Sequence, residues 1–196
     1  GEASGAQLAV RISGIAVLLG LALWVTGGFL GLPAVEYYTD KDPATDSARE
    51  AYVTLIKDLL AAIGYAEADA QTAAEAVYAF EASLAANMVT QEEAQDFNVL
   101  YNPVTAADLE QTYPMLDWDA YLDARNVKGS PTIINSELRL LNELDALIKA
   151  ADLDAITDYL KIRAVIGSYD LLGEDLEAAV FPFLQALYGL EEQAPT

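Results

Sequence analysis

The stretch Gly27-Gly-Phe-Leu-Gly-Leu-Pro-Ala-Val-Glu-Tyr-Tyr-Thr-Asp40 decides how the chain is read. An apolar run, Ile15 to Val25, leads into it. Gly27, Gly28, Gly31 and Pro33 break that run, because glycine and proline together punctuate regular structure. The pair Tyr37-Tyr38 then carries the chain into an acidic helix start. Upstream the pattern is continuous and apolar; downstream it takes on a helical period almost throughout.

Composition sets the outer limits. The chain has 196 residues, 54% of them hydrophobic, which points to one folded domain with or without an appendage. A chain of that length buries about 70% of its unfolded surface. The net charge is −21, with only 10 Lys and Arg. So few cations cannot meet a phosphate backbone, which excludes nucleic acid as a partner and disfavours anionic membrane surfaces. There is no cysteine and no histidine. Disulfides, thiolate metal sites and imidazole ligands are therefore absent from the chain's chemistry.

Ile12 to Val35 carries no charged residue and is long enough to span a bilayer. Five glycines punctuate it, Trp24 sits near its middle, and Gly31 with Pro33 reads as a turn. A short buried strand, or one arm of a hairpin, is the reading for residues 1–36. A membrane or signal segment is the alternative.

Residues 37–190 read as a mainly α, multi-helix orthogonal bundle, with 191–196 as a frayed tail or linker. Asp46 or Ser47 is the expected cap of a helix whose inward face is Tyr52, Leu55, Ile56, Leu59, Leu60 and Ile63, at spacings of three and four. Gly64 is placed to end it in a left-handed cap. A second helix is expected from Glu67 to Ala86, with Ala73, Val77, Phe80 and Leu84 inward. A short helix at Gln91 to Gln95 follows. Thr105 and Asp108 have the spacing of a capping box, and Asp117 is placed to cap a helix through Trp118. Val127 to Ile134 reads as extended. Asn135 or Ser136 starts a helix with Leu138, Leu141, Leu144 and Ile148 inward. Asp152 starts the next, with Leu153, Ile156 and Leu160 on its apolar side. In the last segment, Glu174 to Tyr188, Pro182 predicts a kink or a split.

Several landmarks in order resemble one family. Gly31-Leu-Pro33, followed after three residues by Tyr37-Tyr38, resembles the glycine–leucine–proline turn and tyrosine pair of the neprilysin family of zinc metallopeptidases. Ala51-Tyr52, Tyr101-Asn-Pro-Val-Thr105, Leu116-Asp-Trp118 and the stretch from Ala164 to Tyr169 match further anchors. Tyr188-Gly189 through Pro195 resembles the linker that leads to the catalytic half. The resemblance covers about Leu21 to Thr196. It implies two largely helical lobes around a closed chamber. One lobe carries a His-Glu-x-x-His zinc helix, and the other caps the chamber and limits substrates to short peptides. This chain resembles the capping lobe's core. It is expected to be a fragment, an excised or redesigned domain, or a subunit working beside another chain.

Tested residue by residue, the chain offers no catalytic, cofactor or metal set of its own. Zinc is expected only in a catalytic half. Glu92, Glu93 and Asp96, and Asp117 with Asp119, are the densest carboxylate clusters, but they lack a calcium-loop pattern and read as helix caps. Ser168 near Lys161 has nothing to place it as a nucleophile. Tyr101, Asn102, Trp118 and Tyr121, with Tyr37 and Tyr38, are candidates for a peptide-facing wall, against core or turn packing as the alternative. The implied partners are a metallopeptidase catalytic lobe, in cis or in trans, and short peptides. The implied location is extracellular or cell-envelope. The competing reading is an inactive acidic helical scaffold or interaction domain, anchored to a membrane through residues 12–35 in its third variant.

Overall fold

In the computed structural model, residues 30–126, 128–129, 132–167 and 174–188 are described, without the side chains of 174–178. Of the strand or hairpin expected in residues 1–36 and the membrane segment expected over residues 12–35, the part up to residue 29 falls outside them, as do Ser168, Tyr169, Gly173 and the tail, while residues 30–35 form bends and a turn and no strand. The protein is mainly α. Its described residues form two compact units, residues 30–86 with 150–188, and residues 87–149. No helix among the described residues is long and apolar enough to cross a membrane.

The first unit holds α1 (Glu36–Thr39), α2 (Pro43–Ala62), α3 (Glu67–Ala85), α8 (Leu153–Ile166) and α9 (Glu174–Tyr188). Helix α2 starts earlier than expected. Asp42, not Asp46 or Ser47, is its N-cap, in a reciprocal capping box with Thr45. Pro43 occupies the first helical position, where a missing N–H costs nothing. Tyr52, Leu55, Ile56, Leu59 and Leu60 are buried, but Ile63 closes the helix 42% exposed. Gly64 follows at φ 105°, the left-handed geometry that a side chain resists.

Helix α2 packs on α3 and α9, and α3 packs on α8. The buried face of α3 is Ala70, Ala74, Val77, Phe80, Glu81, Leu84 and Ala85, with Ala73 only half-buried. Alanines allow the close approach, and Phe80 meets the edge of the Tyr159 ring at 5.3 Å. Asp152 caps α8, whose buried residues are Ala155, Ile156, Asp158, Tyr159 and Ile162. Leu153 is 40% exposed and Leu160 half-buried, so the inward stripe lies one residue round from the expected one. Helix α9 runs through Pro182 as one element, where the sequence predicts a kink or a split. Phe183 on α9 packs against Tyr52 at 5.5 Å.

Glu81 is the polar exception in this core, with 0% of its surface exposed. Tyr38 donates to one of its oxygens at 2.6 Å, and Tyr52 donates to the other at 2.8 Å. The amide of Gly31 donates to it at 3.2 Å. Tyr38 Oη also accepts from the amides of Gly31 (3.2 Å) and Leu32 (3.1 Å). One carboxylate thereby ties the Gly31–Leu32 turn, α1, α2 and α3 together. Burial raises its pKa, opposed by the tyrosine hydroxyls and the Arg163 charge on α8. The same burial, with the Glu81 charge, pushes the Tyr38 and Tyr52 hydroxyls upward. Arg163 donates to the Leu30 carbonyl at 3.0 Å, fixing the turn from another side.

Two outcomes follow. A Cβ at Gly31 would lie 1.8 Å from Tyr52 Oη, so Gly31→Ala must displace the turn or break the tyrosine–carboxylate bond. It should lower unfolding stability by about 3 kcal/mol in a denaturant titration. Glu81 has a raised pKa in the fold, so the folded state holds its proton more tightly than the unfolded chain. Its contribution is present below the unfolded carboxylate pKa of about 4.3 and is lost as pH rises through the folded value. Denaturation midpoints of the wild type and Glu81→Gln should therefore differ most in the wild type's favour near pH 4 and less at pH 7.5. A gap that widens with pH would contradict the burial argument.

Candidate functional site

The second unit begins with a connector that side chains hold in place. It contains a 3-10 turn (Glu93–Gln95), α4 (Phe97–Leu100), β1 (Pro103–Val104), α5 (Ala106–Thr112), α6 (Trp118–Ala124), β2 (Ile133–Ile134) and α7 (Leu138–Ala150). The strands pair antiparallel, Pro103 opposite Ile134 and Val104 opposite Ile133. Of the extended stretch expected for Val127 to Ile134, Ile133–Ile134 form that ladder, residues 128–129 form a turn instead, and residues 127, 130 and 131 lie outside the described residues. Thr105 and Asp108 form the predicted capping box, and Asp117 caps α6 by accepting from the Ala120 amide at 3.0 Å.

Helix α7 starts at Leu138. Asn135 prepares it, accepting from the Glu137 amide at 3.0 Å. Leu140, Leu141 and Leu144 are buried, whereas Leu138 is 40% exposed and Ile148 half-buried. Arg139 grips the connector. It donates to both Glu93 oxygens at 2.9 and 2.8 Å, and to the carbonyls of Met88 and Asn87. These bonds hold the Glu93 carboxyl down at about 2. Glu137, whose pKa is raised by burial, accepts from the Val89 amide at 3.0 Å.

A groove of about 390 Å³ lies against this start of α7, lined by Val89, Asn98, Val99, Asn102, Leu138, Arg139, Asn142 and Glu143. Two of its amides are half committed. Asn102 Nδ2 donates to the carbonyls of Val99 and Asn135, each at 2.9 Å. Asn142 Oδ1 accepts from Tyr113 Oη at 2.7 Å. Asn102 Oδ1, Asn142 Nδ2 and the Glu143 carboxylate have no partner among the described residues.

The four aromatic and amide residues singled out from the sequence separate here. Asn102 lines the groove. Tyr101, 49% exposed, stacks on Phe97, 68% exposed, with ring centroids 5.1 Å apart. Trp118 is a core residue, 4% exposed, and donates from its indole to the Tyr113 carbonyl at 3.0 Å. Tyr121 packs edge-on against it at 5.7 Å. Neither Trp118 nor Tyr121 lines the groove. Tyr38 belongs to the Glu81 node, and Tyr37 contributes its carbonyl to Arg49 at 2.8 Å. Asn142, Glu143 and Val89 carried no sequence signal, because the groove arises only when segments about 40 residues apart meet.

Zinc does not fit the residues present. Its ligands are thiolate, imidazole and carboxylate, and this sequence has no cysteine or histidine. Among the described residues, no three carboxylates group so as to hold a metal. The acidic clusters are committed elsewhere: Glu93 to Arg139, Asp96 to the Asn98 amide, Asp117 to the α6 cap and Asp119 to Lys128.

A model of Peptidase family M13, that of its N-terminal region, matches residues 21–196. The neutral endopeptidase of Lactobacillus helveticus is 27% identical over 135 residues, 69% of this chain and 21% of that protein. Endothelin-converting enzyme 1 of Rattus norvegicus is 24% identical over 168 residues, 83% of this chain and 22% of that protein. The chain thus spans about a fifth of the curated relatives it matches. The fold is similar to that of the Mycobacterium tuberculosis zinc metalloprotease Zmp1 in its open state, with a TM-score of 0.76 at 20% identity, over 85% of this chain and 26% of that one. It is also similar to PepO from Lactobacillus rhamnosis, with a TM-score of 0.68 at 15% identity, over all of this chain and 40% of that one.

If Arg139 is what holds the connector, Arg139→Met should raise amide exchange of residues 87–95 about tenfold at pH 7, measured as protection factors. The depressed Glu93 pKa makes the Arg139 pairing present above the unfolded carboxylate pKa and lost as pH falls towards about 2. Wild type and variant should therefore converge in acid. Equal protection at pH 7 would show that the backbone alone fixes this segment.

Proposed function

The chain belongs to Peptidase family M13 over residues 21–196, and on that premise we propose that it is the non-catalytic helical domain of a neprilysin-like zinc metallopeptidase. Its role is to cap the chamber of a catalytic lobe, in cis or in trans, and to admit only short peptides. The observation that carries this reading is the coincidence of a family match across nearly the whole chain with the absence of any histidine. Zinc and the hydrolytic step belong to the catalytic lobe. This chain contributes steric exclusion and a peptide-facing surface, for which Tyr101, Asn102 and Tyr121 are the proposed positions, Trp118 of the expected set being buried behind them in the core. Operation outside the cell or in the cell envelope fits the family resemblance.

A chimaera tests the proposal. The matched region of the Lactobacillus helveticus neutral endopeptidase is replaced by residues 21–196. The chimaera should hydrolyse a short fluorogenic peptide in a zinc-dependent manner and leave unfolded casein intact. The isolated chain should hydrolyse neither. Casein cleavage at the rate of the short peptide would overturn the size-limiting role. Zinc-dependent hydrolysis by the isolated chain would overturn the non-catalytic one.

A further inference from the structure

We propose that the groove in residues 87–149 binds an extended, basic peptide segment. Its main chain would be held by Asn102 and Asn142, and a cationic side chain by Glu143. The assignment rests on the peptide-facing reading of Tyr101 and Asn102, and it is independent of the capping role.

The chemistry of the groove points to this ligand. Each peptide unit of an extended chain presents one N–H donor and one carbonyl acceptor that must be satisfied on leaving water. The groove offers the complement. Asn102 Oδ1 is an acceptor whose amide plane is fixed by two bonds from Nδ2. Asn142 Nδ2 is a donor whose plane is fixed by the bond from Tyr113 to Oδ1. Amides held this way lose little further freedom on binding, so each new hydrogen bond adds to affinity.

The apolar surface agrees. Val99 and Leu138 line the groove and are 37% and 40% exposed. The stacked rings of Phe97 and Tyr101 flank the Asn98–Asn102 stretch, with 68% and 49% of their surfaces exposed. Large apolar groups adjacent on a surface mark a place where another chain sits. A volume of about 390 Å³ lies at the lower end for ligand clefts, which run from about 300 to 1,000 Å³.

Charge selects the sequence of that chain. Arg139, the cation at the groove, is consumed by Glu93 and two carbonyls. Glu143 is left unpaired among the described residues, in a chain of net charge −21. An arginine or lysine side chain completes this arrangement, while an acidic ligand meets an uncompensated carboxylate.

The test uses the intact chain and fluorescence polarisation. The probe is an acetylated, amidated octapeptide of alternating leucine and arginine. Its counterparts carry glutamate for arginine, or methyl groups on alternate backbone nitrogens. Backbone methylation and Asn142→Ala should each weaken binding about tenfold. Glu143→Gln should weaken it about fivefold and flatten its salt dependence. Glu50→Gln, an exposed acid on α2, should leave it unchanged. Circular dichroism establishes that each variant is folded.

Equal binding of the methylated peptide, or affinities indifferent to both groove variants, would overturn the proposal in favour of diffuse attraction to an acidic surface. Preference for the glutamate peptide would overturn the charge assignment. Because no catalytic lobe is present, a negative result here is separate from failure of the chimaera.

Discussion

A single buried carboxylate governs the first unit. Removing Glu81 from water carries a large desolvation penalty, which only well-aimed donors offset. Three donors are supplied, by Tyr38, Tyr52 and the Gly31 amide. They come from α1, α2 and the turn, and the acceptor sits on α3. A shift of any of these elements lengthens a hydrogen bond of 2.6 to 3.2 Å to a buried carboxylate. The glycine in Gly31-Leu-Pro33 follows from the same constraint, since Tyr52 Oη fills the space where its Cβ would stand. A motif that looks like a simple turn is therefore a docking surface for a tyrosine–glutamate node.

The two units are stabilised by different balances of force. In the first, apolar burial dominates, and polar ties close its margins. Arg163 holds the Leu30 carbonyl, while Tyr65 and Lys161 converge on Asp158, 6% exposed, which anchors the chain after Gly64 to α8. In residues 87–149 the buried apolar set is small, centred on Met88, Leu109, Trp118, Leu122, Leu140, Leu141 and Leu144. There, side-chain bonds to the backbone carry much of the order: Arg139 and Glu137 on the connector, Asn102 across to Asn135. A unit organised this way leaves half-used amides and exposed aromatics at its surface. The groove is a consequence of how the segment is held.

Much of the helical frame was legible because it obeys spacing rules. The face Tyr52, Leu55, Ile56, Leu59, Leu60 is buried as its period demands, and the caps at Thr105, Asp117 and Asp152 need only a short polar side chain at the right offset. The errors have local causes. Asp42 outcompetes Asp46 because Pro43 both starts the helix and forbids an earlier hydrogen-bonded turn. Pro182 is carried within α9, so of the kink or split expected there the split does not occur, although its ring removes one helical N–H. Glu81 could have been found: Ala70, Ala74, Val77, Glu81 and Leu84 fall at spacings of four, three, four and three, which places a carboxylate on an apolar stripe. The pairing of Pro103–Val104 with Ile133–Ile134 leaves almost no trace in a two-residue ladder. Of the groove only Asn102 was singled out, since Asn142 is an ordinary surface asparagine until Tyr113 fixes it.

The separation of frame from chemistry is the functional argument. A fold that matches the Zmp1 and PepO structures at 15 to 21% identity keeps helix spacing and packing while individual side chains change. Metal ligation is less forgiving, because it needs specific donor atoms at fixed distances, and no imidazole or thiolate exists anywhere in this sequence. On the proposed reading, what such a chain does to a peptide is to exclude it, position it or hold it. The proposed exclusion requires a frame that resists deformation, and the hydrogen bonds on Glu81 are suited to one. Holding requires exposed groups whose hydrogen-bonding capacity is oriented and unspent, and Asn102, Asn142 and Glu143 supply these. The groups on which the two proposals rest, Glu81 and the Asn102, Asn142 and Glu143 set, lie in different units of the chain, so each proposal is open to mutation by itself.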